Sequence, residues 1–297
     1  MKILECVPNI SEGTDLQVVE QIVDQLRQTD GVKLLDYSSD AEHNRSVLTY
    51  LGEPAAVLAA TKAMSRKALE LIDMRQHHGS HPRLGAIDVV PFIPIRGVDT
   101  PEAVEVARQF GRFLGEQGVP VYYYEDAATR PERVNLAQIR KGQYEALPEK
   151  LRDPAWQPDE GPAEFNPQAG ATVTGVRFPL IAFNVNLRTT DVEIANRIAR
   201  AVRHISGGFR YVKAMGLALE EQKLVQVSMN LTNYTKTPLP RVLETIRIEA
   251  ARYGVSIAGT EIIGAIPLGA FEEIVKHYLQ THDFELSQVI EYSLLGE

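Results

Sequence analysis

Apolar and polar residues alternate with two different periods along this chain, and the order in which the periods change predicts its elements. A period of two over 2–7 predicts a strand that Pro8 breaks, and a helical period follows over 15–28. Two more strand periods, 32–37 and 45–51, lead into an alanine-rich helix over 54–74 that opens on Pro54, a favoured first-turn residue. A strand over 87–95 closes a βαββαβ set. A helix over 101–117 and a strand over 119–124 come next, and then periodicity fails from about 125 to 176, where Pro131, Pro148, Pro154, Pro158, Pro162 and Pro167 fall. Segments of that length without a period are usually functional loops or linkers.

The second half repeats the order: strand 180–187, helix 191–204, strands 209–217 and 223–231, helix 240–253, strand 255–261 and a closing helix from 268. A duplicated split βαβ unit, each an antiparallel sheet with two helices on one face, is the simplest arrangement of such a pattern. The fold class expected is therefore α+β, with two ferredoxin-like (βαββαβ) subdomains over 1–178 and 179–297. Polar alternates such as Gln226, Ser228 and Asn230 put hydrophilic residues on the second face of the later sheet. Two such faces opposed would line a polar cleft, a favoured place for a ligand.

Composition narrows the class of function. A net charge of −8 over 297 residues, with no Lys/Arg block, argues against a nucleic-acid partner. No run approaches the roughly 18 apolar residues of a membrane helix, and the N-terminus has no basic patch before a long apolar core, so a cytoplasmic location and no membrane partner are expected. The single cysteine, Cys6, excludes an intrachain disulfide framework and reads as a small buried strand residue.

Chemistry concentrates in residues 75–94, RQHHGSHPRLGAIDVVPFIP, where three of the seven histidines, His77, His78 and His81, fall within five positions. Histidine exchanges protons near neutral pH, and Gly79, Pro82 and Gly85 impose an irregular backbone on the loop. Three readings are open. The histidines decorate a solvated helix end, or His77, His81 and Asp88 gather a metal, or one histidine is a general acid and base oriented by a carboxylate. The loose spacing and the lack of an HExxH pattern disfavour the metal, so no metal is expected. Asp40, Asp88 and Glu125 are the candidate orienters. In the glycine-punctuated stretch 161–175 no Walker or GxGxxG spacing occurs, and Phe165 is either a buried anchor or a platform for a flat heterocycle.

Several long stretches carry a resemblance. ECVPNISEG near the start, NRSVLTYLG over 44–52, IDM and HGSHPRLGAIDVVPFIPIRGV within 72–98, IRKGQYEALPEKL, GPAEFNPQAGATVTGVR, LIAFNVNL and TEIIGAIPLGA over 260–270 occur in one order. In them the chain resembles the formiminotransferase domain family, which is also found fused to formiminotetrahydrofolate cyclodeaminase. The resemblance implies two ferredoxin-like subdomains whose sheets face each other across a folate tunnel. It also implies transfer of a formimino group from N-formimino-L-glutamate to N5 of tetrahydrofolate in histidine degradation, with tetrahydrofolate as co-substrate. His81, in the His-Pro-Arg triplet, becomes the catalytic acid-base. Gly161, Pro162, Ala163, Glu164, Phe165, Asn166, Pro167, Gln168, Ala169 and Gly170 become the folate-contacting segment. Arg45 and Arg83 are the candidates for the glutamate carboxylates, on the ground that a carboxylate needs a cationic partner.

One position departs from the family pattern. Ser38 stands where members often carry an acid that orients the histidine, and Asp40 is the substitute expected here. A formyl donor, moving between 5-formyltetrahydrofolate and glutamate, and a folate-binding protein without chemistry remain the alternatives. A homodimer is expected, as is a separate cyclodeaminase downstream, since no helical cyclodeaminase segment follows residue 297.

Overall fold

The computed structural model describes residues 2–295 and divides into two compact units, the first ending at Arg177 and the second beginning at Phe178. In the first unit, β1 (Ile3–Cys6) is interrupted at Pro8, which cannot donate to a ladder, and resumes as β2 (Asn9–Ile10). Helix α1 (Leu16–Arg27) starts where the Asp15 carboxylate accepts from the N–H groups of Gln17 and Val18 at 2.9 and 3.2 Å. Its Val19, Ile22, Val23 and Leu26 recur at helical spacing and are buried, each contributing about 1.5–3 kcal/mol. Strands β3 (Val32–Asp40) and β4 (Arg45–Gly52) form a hairpin, and α2 (Pro54–Leu71), β5 (Ile87–Arg96) and α3 (Thr100–Glu116) follow.

The strand order β3-β4-β1/β2-β5, antiparallel throughout, is that of a split βαβ unit. Helices α1, α2 and α3 cover one face, packing Ile22, Met64 and Phe110 on Leu4, Leu48 and Phe92. The sheet does not stop at β5. Strands β6 (Val121–Glu125) and β7 (Thr172–Val176) extend it in the order β5-β7-β6, and both pairings of β7 are parallel. Sequence periodicity missed β7 because all five of its residues are buried. Its two threonines satisfy their hydroxyls by donating to Ile87 O and Val90 O at 2.7 and 2.9 Å.

The stretch 126–171 is folded rather than a linker. Two short helices, α4 (Leu136–Ile139) and α5 (Leu147–Lys150), bring Ile139, Leu147 and Leu151 onto Tyr122, Tyr124, Val89 and Val173. They cover part of the second face of the sheet, which the sequence pattern had left open. Buried Arg133 pairs with Asp159 at 2.8 Å and donates to Gln157 O at 2.6 Å, tying the stretch down with polar contacts that carry no hydrophobic period.

The second unit comprises β8 (Ile181–Leu187), α6 (Val192–Val202), β9 (Val212–Leu219), β10 (Leu224–Leu231), α7 (Leu239–Arg252), β11 (Ile257–Ile263) and α8 (Leu268–Leu279). Its sheet runs β11-β8-β10-β9 and is wholly antiparallel. Phe183, Val185, Val227 and Met229 face Ile198, Val202, Val242 and Ile246. The other face is polar: Gln226 donates to Asn186 at 2.8 Å, and Asn186 donates to Glu261 at 2.7 Å. Among the described residues, no helix is long and apolar enough to cross a membrane.

Candidate active site

Between α2 and β5 the chain cannot stay helical, and residues 72–86 form a loop held at both ends by the segment 166–170. Met74 N–H donates to Gln168 O and Ala86 N–H to Ala169 O, at 2.9 and 2.8 Å. Gly85 and Gly170 make an isolated antiparallel bridge between the two. Gly170 has a left-handed φ of 68°, and a Cβ there would lie 2.2 Å from Leu84 O. Only glycine permits so close an approach of two backbones. Asn166 fixes the turn by accepting from Gln168 N–H and Ala169 N–H. The sequence-predicted folate segment and the histidine loop are thus one backbone assembly.

The loop meets the β3–β4 hairpin through Asn44, whose φ is 46°. Its amide donates to His78 O at 2.8 Å, its Oδ1 accepts from Gly13 N–H at 2.9 Å, and its carbonyl accepts from His77 Nε2–H at 2.8 Å. The last bond leaves His77 Nδ1 as the acceptor for Arg83 Nε–H at 3.2 Å. His77 is therefore a buried, neutral, doubly bonded ring, and burial holds its pKa below the ordinary value. His78 is exposed. The helix-end reading suits His78 and not His77.

His81 lies in a small pocket with Ser11, His43, Asn44, Arg45, Arg83 and Asp88. It is half-buried, and Arg45 Nη1 stands 2.6 Å from its Nε2. Desolvation first, then the positive charges of Arg45 and Arg140, push its pKa down to about 4. The imidazole is consequently neutral near pH 7, the form that accepts a proton.

Of the candidate orienters, Asp40 and Asp88 both have partners other than the His81 ring. Asp40 does not reach His81. Its Oδ2 is 2.6 Å from His43 Nδ1 and its Oδ1 accepts from His43 N–H, while the His43 ring stands edge-on to His81 at 6.1 Å. Buried Asp88 accepts from Leu84 N–H at 2.9 Å and pairs with Arg140, and burial raises its pKa despite that partner. Arg83 already has an anionic partner. The residue is 8% exposed, and its guanidinium forks onto Glu145, with contacts of 2.7 and 3.0 Å. Arg45 differs: its Nε is buried without a hydrogen-bond partner, as is that of Arg140.

Residue type and spacing did not point to Asn44, Arg140, Tyr144 or Glu145. The last three come from the stretch 139–151, where helical period is absent and the signal lay only in the resemblance. Tyr144 donates its N–H to Arg83 O and its hydroxyl to Pro167 O, both within hydrogen-bond distance, and packs on Phe165 with ring centroids 5.4 Å apart. Phe165 is half-buried, its ring tilted 54° to that of Tyr144.

Two family descriptions match the chain: "Formiminotransferase domain, N-terminal subdomain" over residues 3–177 and "Formiminotransferase domain" over 182–293. The sequence is 48% identical to a glutamate formimidoyltransferase of Streptococcus pyogenes over 99% of both chains. It is 45% identical to that of Thermoplasma acidophilum, over 98% of this chain and 97% of the relative. A formimidoyltransferase-cyclodeaminase of Rattus norvegicus is 45% identical over 93% of this chain, which spans 52% of that longer protein.

Proposed function

The chain belongs to the formiminotransferase family, and we propose that the pocket around His81 is where it moves the formimino group from N-formimino-L-glutamate to N5 of tetrahydrofolate. The reaction class is glutamate formimidoyl transfer, with tetrahydrofolate as the second substrate. N5 attacks the amidine carbon and must lose a proton, and the departing glutamate nitrogen must gain one. A single imidazole serves both in sequence.

The observation that carries the assignment is His81: half-buried, neutral, and in the pocket beside a cation. Arg45 takes a carboxylate of the donor. Arg83 works indirectly, since Glu145 already neutralises it, and it fixes His77 and with it the loop. Asp40 acts through His43 rather than on His81 itself. Residues 161–170 receive the folate, with Phe165 and Tyr144 as an aromatic platform for a flat ring. Holding both substrates against one loop contributes through proximity.

We place this activity in histidine degradation in the cytoplasm, with ammonia release left to a separate cyclodeaminase. Exposed Ile248, Phe271 and Leu279 on α7 and α8 support a homodimer. The experiment is turnover of N-formimino-L-glutamate with tetrahydrofolate, repeated with 5-formyltetrahydrofolate and glutamate. The formimino reaction is expected to dominate, and a faster formyl reaction would overturn the choice of donor.

A further inference from the structure

The nitrogen that the proposed reaction needs is covered. Arg45 Nη1 lies 2.6 Å from His81 Nε2, and a guanidinium only donates, so the ring lone pair is occupied by the arginine. Asp88 lines the pocket and is engaged elsewhere, as are Asp40 and Glu145. Asp88 on β5 is held by Arg140 and Leu84 N–H, Glu145 ahead of α5 by Arg83, and Asp40 at the end of β3 by His43. Among the described residues, Arg45 has no carboxylate within ion-pair distance. Its buried Nε has no acceptor at all. An arginine kept in that state is short of one anion with two oxygens, since its fork suits a carboxylate better than an imidazole.

We infer that Arg45 is a shutter on His81 that the donor opens: a carboxylate of N-formimino-L-glutamate draws the Arg45 guanidinium away from Nε2, which becomes free only when the donor is bound. This rests on the function proposed above. Arg140 is a positioning residue in the device, because its hold on Asp88 prevents that buried acid from taking Arg45 in place of the donor.

The consequence is electrostatic as well as steric. Without donor, burial together with Arg45, Arg140 and His43 keeps the imidazolium unfavourable. A carboxylate on Arg45 cancels the nearest of those charges, so the ring can hold the proton released from N5 and pass it to the departing amine nitrogen. The proton stays within the pair of substrates and His81, and no other reactant is required. A residue that serves as base and then acid gains from a pKa near neutrality during turnover and loses nothing from a lower one before it.

The test is a pH titration of the His81 ring by nitrogen NMR on the full chain, alone and with saturating N-formyl-L-glutamate, in which oxygen replaces the imino nitrogen. The His81 midpoint is expected to rise by about one unit or more when the analogue binds. In Arg45→Gln it should already be raised without ligand and move little on addition. Arg45→Lys, which keeps the charge but not the fork, should sit between them and guards against a folding defect. Binding of the analogue without movement of the wild-type midpoint overturns the shutter, as does failure of the analogue to bind. Turnover measured on the same preparation separates the two ideas: a turning-over enzyme with a fixed His81 midpoint loses only the shutter, whereas no turnover removes the function on which it rests.

Discussion

Gly85→Ala tests whether the histidine loop and the segment 161–170 are one assembly. Gly85 is buried, and an added Cβ would stand 2.3 Å from Ala169 O and 2.5 Å from Ala171 O, against about 3.4 Å for ordinary contact. Both neighbours are backbone, so the two strands of the bridge must part by about 1 Å rather than let a side chain swing aside. Parting stretches three bonds: Ala86 N–H to Ala169 O at 2.8 Å, Ala171 N–H to Leu84 O at 3.1 Å, and Ser11 Oγ–H to Gly85 O at 2.7 Å. Overpacking costs about 1–3 kcal/mol and each of the three weakened bonds about 1 kcal/mol, which brings the total to roughly 4–6 kcal/mol. Urea denaturation should show a midpoint lowered by about 1–2 M. His81 lies four residues upstream, and a displacement of about 1 Å there should lower kcat by roughly 100-fold. Gly118→Ala is the control. Its φ of 77° strains an alanine, but no atom lies within 4 Å of the new Cβ, so about 1 kcal/mol and unchanged kcat are expected. A Gly85→Ala protein matching wild type in midpoint and turnover would refute the close-approach reasoning.

Other substitutions separate the roles around the pocket. His81→Ala should lower kcat by about 100-fold to 10,000-fold while calorimetric affinity for 5-formyltetrahydrofolate changes little; retained turnover sinks the assignment. The pH profile of kcat/KM should stay flat from pH 8 to about pH 5 and fall only as His81, whose pKa lies at about 4 in the free protein, takes a proton; a limb near 6.5 contradicts the cationic surroundings described. Glu145→Gln leaves the buried Arg83 guanidinium with neutral acceptors only, and should cost about 1–3 kcal/mol in urea titrations, discounted for the exposure of Glu145 itself. If it abolishes turnover while stability is unchanged, Glu145 meets a substrate and the structural reading of the pair fails.

Period and punctuation in the sequence were enough for the repeated βαββαβ order, because strand and helix spacing are local properties of ten or so residues. The strand Thr172–Val176 escaped that reading, since a strand buried on both faces has no alternation to display. The resemblance selected His81 out of three neighbouring histidines, while residue type alone left all three equal. Which side chain neutralises which was decided only by the tertiary structure. Arg83 meets Glu145 across 62 positions, Arg140 meets Asp88 across 52, and Arg45 meets His81 across 36, all through backbone turns that no spacing rule encodes. The resemblance offered Asp40 to His81, and the need of a carboxylate for a cation offered Arg83 to the donor. Packing gave Asp40 to His43 and Arg83 to Glu145, because a buried charge takes whatever partner the folded backbone brings within hydrogen-bond reach.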